Sequence, residues 1–117
     1  MPAKRFNSEK PELGYILHFP ASLISLARIM EYGAHKYEPM NWAKGGKPDE
    51  EYLDACIRHL VAWKNSHIDQ ESGCNHLGHA IWNLMALLDL NYKEEAFDFS
   101  IFNDAVDKLK LSKGDCQ

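Results

Sequence analysis

The chain has 117 residues, 45% of them hydrophobic and 26% charged, and a net charge of -4. That length closes one core and not two, the composition is that of an ordinary globular protein rather than a disordered one, and the acidic balance argues against a sequence-independent grip on duplex nucleic acid or on an anionic membrane. No apolar run reaches the length of a membrane span, and the N-terminal "MPAKRFNSEKPELG" lacks the apolar block of a signal peptide, so the expected setting is a cytoplasm and the expected partner a small ligand.

Residues 1–19 are rich in proline, glycine and charge and read as an irregular arm that ends in a short extended segment at "YILHF". A first helix is expected from near Ser22, a good N-cap, through "EYGAHKY", with Leu23, Leu26, Ala27, Met30 and Ala34 as its core face. "EPMNWAKGGKP" reads as a loop. A second helix starts around Pro48 to Glu51, where proline and three acidic residues suit the positive helix end, and runs to about Asn65. After the connection "HIDQESG", a third helix runs from near Asn75 to about Tyr92, and its apolar stretch from Ala80 to Leu90 marks it as central. "FDFSIF" reads as a turn or extended piece and "NDAVDKLKLSK" as a short helix.

The expected fold is therefore all-α, with three principal helices plus short terminal elements. It forms a single domain over residues 1–117, with the core at about 20–92, an arm at 1–19 and a tail at 93–117. Helix 3 is apolar on too many sides for two neighbours to cover, which implies a homo-oligomer, a dimer or larger, that completes a four-helix layer. The cysteines, Cys56, Cys74 and Cys116, are odd in number and form no CxxC pair; Cys56 is expected in the core and the other two as free thiols.

Helix 3 also carries the polar residues that need explaining. At about 100° per residue, His76, His79 and Asn83 fall within an arc of roughly 60° on one face. A buried amide without a partner costs about 1 to 3 kcal/mol, so Asn83 must face a backbone group, water or a ligand. Two histidines solvated in a frayed first turn would be the bland alternative. In helix 2, His59 shares a stripe with Tyr52, Ala55, Cys56 and Trp63, with Arg58 beside it; a lone histidine there is more often a satisfied core residue. In helix 1, Arg28, Glu31 and His35 lie along one side. Each of the three helices offers histidine plus a charged group, and that coincidence raises a pocket above three unrelated surface features. The loop after helix 1 suits a nucleotide: Lys36 to meet a phosphate, Tyr37 or Trp42 to stack on a purine, and Asn41 to read a base edge. Capping of the bundle end by Tyr37 and Trp42 is the structural alternative.

The strings "ARIMEYGAHKYEPMNW", "RHLVAW" and "IDQESGCNHLGHAIWNLMALLDL" resemble the phage-associated dATP/dGTP diphosphohydrolase N-terminal domain family, over roughly residues 10–92. The resemblance implies a purine deoxynucleotide as substrate and a phage product acting in the bacterial host cytoplasm. A more distant similarity to the all-α MazG-type pyrophosphohydrolases implies a MazG-like bundle. Those enzymes hold divalent metal with E-E-x-x-E on one helix and E-x-x-D on another. Here His76 and His79 stand where the second pair of acids would fall, and on the first helix only Glu31 remains, with His35 four residues on. Imidazole suits Mn²⁺ better than Mg²⁺, so the substitution changes the metal or removes it. A second domain able to supply the missing carboxylates is expected to be absent, since only the residues after Tyr92 follow helix 3.

Two mechanisms follow from that resemblance, and a structural subunit with histidines packed at an interface is a third, blander outcome. In the first, Glu31, His76 and His79 gather a divalent metal, Mn or Mg. Glu31, His59 and Asp69 then serve the chemistry, while Lys36, Asn41, Trp42, Arg58 and Asn83 hold a purine nucleoside triphosphate that is cleaved to monophosphate and pyrophosphate. In the second, the basic side chains clasp phosphates without metal, and the protein is a sponge that sequesters a nucleotide signal, a cyclic dinucleotide or an ADP-ribose derivative, to counter host defence.

Overall fold

A computed structural model describes residues 12–92, 100, 102–104 and 106–108. The chain divides into two units, Phe19–Glu95 and a terminal unit of Met1–His18 with Ala96–Gln117. Every regular element among the described residues is helical, as the periodicity predicts.

In the terminal unit, Leu13–His18 forms a 3-10 helix with no buried residue. The extended reading of "YILHF" is corrected here. An extended segment needs a neighbouring strand for its backbone groups, whereas a tight turn satisfies some of them locally, beginning with the Tyr15 amide on the Glu12 carbonyl at 3.3 Å. Residues 103–104 and 106–108 are helical, within the short helix expected there. The turn or extended piece expected at 97–102 lies mostly outside the described residues; 100 and 102 are helical. Cys116 also lies outside them.

The core unit is built from α1 (Pro20–Lys36), a 3-10 turn (Asn41–Lys44), α2 (Asp49–Asn65) and α3 (His76–Asn91). α1 starts three residues earlier than a Ser22 cap would set it because Pro20, with φ already helical and no amide hydrogen to orphan, takes the first position. α2 places Asp49, Glu50 and Glu51 in its first turn, against the partial positive charge of the helix end. α3 is capped by Asn75, whose side-chain oxygen accepts the Leu77 amide at 2.8 Å.

The α2–α3 connection is held by its own backbone. The His76 amide donates to His67 at 2.8 Å, Asp69 to Cys74 at 2.8 Å and Gly73 to Asp69 at 2.7 Å. Gly73, at φ 71°, occupies the left-handed region that this reversal requires. The helices run antiparallel, and at their far ends the Asn91 amide reaches Asp49 at 3.4 Å.

α3 packs against both α2 and α1, the central place its apolar run implies. Its contact with α1 is close because Gly78 has no side chain: a Cβ there would stand 2.8 Å from Ile29 Cδ1 and 3.3 Å from Ser25 Cβ. The buried set is small in volume and comprises Ile29, Tyr52, Ala55, Cys56, Cys74, Ala80 and Ala86, with His76 and Asn83. Cys56 thus sits in the core as expected, and Cys74 is a free thiol that is also buried. The core face proposed for α1 is partly corrected: Ile29 is its buried residue, while Ala27 and Met30 are exposed and join Ala34 in lining an open cleft. No helix among the described residues is long and apolar enough to cross a membrane.

Candidate functional site

The cleft, about 870 Å³ in volume, is walled by α1, the segment after it, α2, the α2–α3 connection and α3. Of the residues singled out in the sequence, it brings together Glu31, Lys36, Asn41, Trp42, His59, Asp69, His79 and Asn83. Arg58, next to His59 on α2, is exposed and does not line it. His76 is buried, 9% exposed, and lies behind the cleft wall.

Three imidazoles meet where α2 crosses the start of α3. His59 Nδ1 and His76 Nδ1 are 2.9 Å apart, so one of these nitrogens carries a proton and the other accepts it. The opposite edge of the group is His79, whose ring stacks on His59 at 4.5 Å between centroids and 9° between planes. Burial lowers the proton affinity of His59, and the neighbouring His79 and His76 lower it further, against Asp69. Burial also lowers that of His79, with Asp69 opposing. His59 and His79 therefore favour neutral rings near neutral pH.

His79 is oriented by a short polar chain. Burial would raise the Asp69 carboxyl, but the hydroxyl and amide of Ser72, with His79, hold it below the usual carboxylate range. An ionised Asp69 can only accept, so the Ser72 hydroxyl donates to it at 2.7 Å and the Ser72 amide at 3.1 Å. With its single hydrogen committed, Ser72 Oγ must accept from His79 Nε2 at 2.7 Å. That assigns the His79 proton to Nε2 and leaves Nδ1 as an acceptor. One turn further along α3, the Asn83 amide donates to the His79 carbonyl at 2.8 Å, which answers how a 5% exposed amide is satisfied. Its oxygen is the atom left to face a ligand.

Beside this polar chain, Glu71 accepts from Tyr32 Oη at 2.7 Å and from Lys36 Nζ at 2.8 Å. The Lys36 pair keeps the Glu71 carboxyl below its ordinary value and pushes the ammonium up. Lys36 also lies 5.7 Å from the Tyr32 ring centre and 5.4 Å from that of Tyr37. Lys47 stands 4.5 Å over buried Tyr52, and Trp42 meets Trp82 edge to face at 6.5 Å. Aromatic surface and ammonium groups thus alternate along the walls. Glu38 pairs with Lys44 at the rim.

Ser72, Tyr32 and Lys47 are absent from the sequence-based site. Asp-x-x-Ser followed by glycine, at 69–73, is a side-chain-to-backbone turn signature that marks Ser72 in retrospect; Tyr32 and Lys47 carry no local signal.

Among the described residues, no three histidine, cysteine, aspartate or glutamate side chains form a group able to hold a metal ion. The set Glu31, His76 and His79 is divided: His76 turns to His59, His79 Nε2 faces Ser72 with Asp69 Oδ2 at 3.6 Å, and Glu31 lines the wall from α1.

No solved structure was found to match the chain. A dATP/dGTP diphosphohydrolase of Salmonella phage PMBT28 is 30% identical over 118 residues, an alignment that takes in all of this chain and 39% of that protein. The chain thus spans about two fifths of the length of the curated relative it matches. Residues 1–99 match the model of a family described as dATP/dGTP diphosphohydrolase, N-terminal, and the chain belongs to that family.

Proposed function

We propose that the cleft binds a purine nucleotide. The observation that carries this reading is the joint presence, on one cavity of nucleotide size, of the aromatic faces of Tyr37, Trp42 and Trp82, the amides Asn41 and Asn83, the ammonium groups Lys36 and Lys47, and the imidazoles His59 and His79. Stacking on an aromatic face holds any purine, and the amides select among them. The lysines meet the phosphates.

The fate of the ligand follows from the family. A purine (deoxy)nucleoside triphosphate and water give a nucleoside monophosphate and pyrophosphate, in a phage product acting on the nucleotide pool of its host's cytoplasm. His59, kept neutral by burial, is the group suited to take a proton from the attacking water. Glu31 and Asp69, two of the four acids that line the cleft with Glu38 and Glu71, serve the same chemistry. The donor set among the described residues does not fit a divalent ion, so no step is routed through one. A specific observation supports a second reading, capture without turnover: Asp69 and Glu71 are already engaged by Ser72 and by Lys36 with Tyr32, which leaves no free carboxylate pair in the described cleft wall. Such a protein would sequester a nucleotide signal, cyclic or ADP-ribose-derived, rather than destroy it.

The test is a chromatographic time course of dATP, dGTP and a panel of cyclic nucleotides, with the protein well below ligand concentration, in Mn²⁺, Mg²⁺ or EDTA. An equimolar repeat in which the protein is then denatured recovers bound ligand. Multiple turnovers to monophosphate and pyrophosphate establish hydrolysis, and a requirement for Mn²⁺ or Mg²⁺ would place a metal where the donor set above does not. Stoichiometric loss with intact ligand released on denaturation establishes capture. Neither turnover nor retention removes the cleft as a nucleotide site.

A further inference from the structure

Two acceptor atoms on α3 are left unbonded by the chain's own hydrogen bonds. His79 gives its Nε2 hydrogen to Ser72, so its Nδ1 keeps a free lone pair; Asn83 commits its amide nitrogen to the His79 carbonyl, which leaves its Oδ1 free. Neither assignment can be reversed. A carbonyl at 2.8 Å demands the nitrogen of Asn83 and not its oxygen, and the His79 ring is fixed by Asp69, whose Oδ2 takes both the hydroxyl and the amide hydrogens of Ser72. Among the described residues no buried side-chain nitrogen or oxygen lacks a partner, so the two unbonded acceptors open onto the cleft that both residues line. Four residues apart on α3, they are neighbours on one face. Asp69, Ser72, His79 and Asn83 all belong to the unit Phe19–Glu95.

We infer that His79 Nδ1 and Asn83 Oδ1 read a hydrogen-bond donor of the bound nucleoside, a sugar hydroxyl or a base N–H, and that Ser72 is the positioning residue that makes His79 an acceptor. This rests on the reading of the cleft as a nucleotide site. The ligand's own chemistry decides which part of it can lie here. Ionised phosphate oxygens carry only lone pairs, and against these two atoms they would meet lone pairs again, with the Asp69 carboxylate 3.6 Å from the far nitrogen of the ring. Phosphates therefore go to the ammonium groups, and the face shared by His79 and Asn83 is left for O–H and N–H. Moving the imidazole hydrogen to Nδ1 would invert that preference by presenting a donor. Ser72 prevents the move, because its one hydroxyl hydrogen is held by Asp69 and its oxygen can only accept from the ring. Aromatic faces take any purine, whereas a site built to bond O–H or N–H rejects the analogue that lacks it, so this pair acts as the filter in an otherwise permissive cleft.

The experiment is calorimetric titration of the full chain with three α,β-methylene triphosphates, which resist cleavage between the α and β phosphorus atoms: those of deoxyguanosine, of dideoxyguanosine, which lacks the sugar hydroxyl, and of deoxynebularine, whose purine has no N–H. In the wild type one of the two depleted analogues is expected to bind about tenfold more weakly than the parent, and which one it is separates sugar from base as the donor. In Ser72→Ala the gap is expected to shrink below about threefold, and Ser72→Thr, which keeps the hydroxyl, restores it. Long-range proton–nitrogen NMR of the ligand-free wild type above neutral pH, with His79 assigned by its loss in His79→Gln, is expected to show the ring hydrogen on Nε2. A hydrogen on Nδ1 overturns the inference. Equal binding of all three analogues by the wild type overturns it while leaving the cleft a nucleotide site, whereas binding of none removes that site and the inference with it. A gap that persists undiminished in Ser72→Ala overturns the role of Ser72. If Ser72→Ala does not fold, the wild-type titrations and the ring spectrum still decide, since neither needs that variant.

Discussion

His59 and His76 face each other through like atoms, Nδ1 to Nδ1, at 2.9 Å. Such a contact holds only while one ring lacks a proton at that nitrogen. Protonating both converts a hydrogen bond into a clash of two donors and two charges. The lowered proton affinities of His59 and His79 have the same sign in thermodynamic terms, because a group that binds protons more weakly when folded favours the unfolded chain as pH falls. That stability is fully present above the unfolded histidine value of about 6.5 and is lost as pH falls through the lower folded values. Asp69 and Glu71, held low in the folded chain, add a further loss below the ordinary carboxylate range. Thermal denaturation between pH 8 and 4 is expected to show a plateau above neutrality and a falling midpoint below it, and His59→Gln should flatten the upper part of that fall.

The pairing of Lys36 with Glu71 makes the carboxylate a competitor for any phosphate that enters. Glu71→Gln is therefore expected to tighten nucleotide binding by about two- to fivefold, the scale of an exposed ion pair, whereas Lys36→Ala weakens it by about tenfold. Calorimetric titration of both variants with dGTP decides between this competition and a purely structural role for Glu71, in which Glu71→Gln would weaken binding instead.

His79→Ala removes the ring that stacks on His59 and bonds Ser72 but leaves the buried face of α3 in place. Nucleotide binding should fall by about tenfold or more while the unfolding free energy drops by only about 1 kcal/mol, the worth of one hydrogen bond. Unfolding of the variant would make the histidine a structural residue and remove the strongest support for the cleft as a binding site.

Gly78 sets the α1–α3 spacing. An added Cβ would overlap Ile29 Cδ1, the end of a buried side chain, and press on Ser25 Cβ. Overpacking of this kind costs about 1 to 3 kcal/mol and helix propensity returns about 1. Gly78→Ala is thus expected to lower stability by about 1 kcal/mol in urea denaturation. Ile29→Val, which removes the clashing methyl, should recover most of that loss in the double variant.

The helices were legible because their signals are local: Pro20, the acidic turn at 49–51 and the Asn75 cap each act on neighbouring backbone. The faces of His59, His79 and Asn83 could be argued from helix periodicity, which fixes direction within an element, whereas Lys36, Asn41, Trp42 and Asp69 were suggested by side-chain chemistry and by the family resemblance. What escaped was whatever depends on how two elements are set against each other. His76 and His79 share a helix face, yet a rotation of 60° sends one to His59 and the other to Ser72. Arg58, one residue from His59, is carried about 100° away from the cleft. Ala27 and Met30 read as core because periodicity distinguishes apolar from polar faces, not a wall that is covered from one that is open.

The closed backbone of the α2–α3 connection bears on kinetics as well as on geometry. With the amides of Asp69, Gly73 and His76 tied within ten residues, the segment that carries Asp69, Glu71 and Ser72 behaves as a stiff bracket between two helices rather than as a lid. A ligand arriving at such a bracket finds Ser72 and His79 already in register, so little of its binding free energy goes into ordering the receptor. Association should be a single fast phase that scales with concentration and has no slow conformational step, the behaviour of a receptor whose shape precedes its ligand.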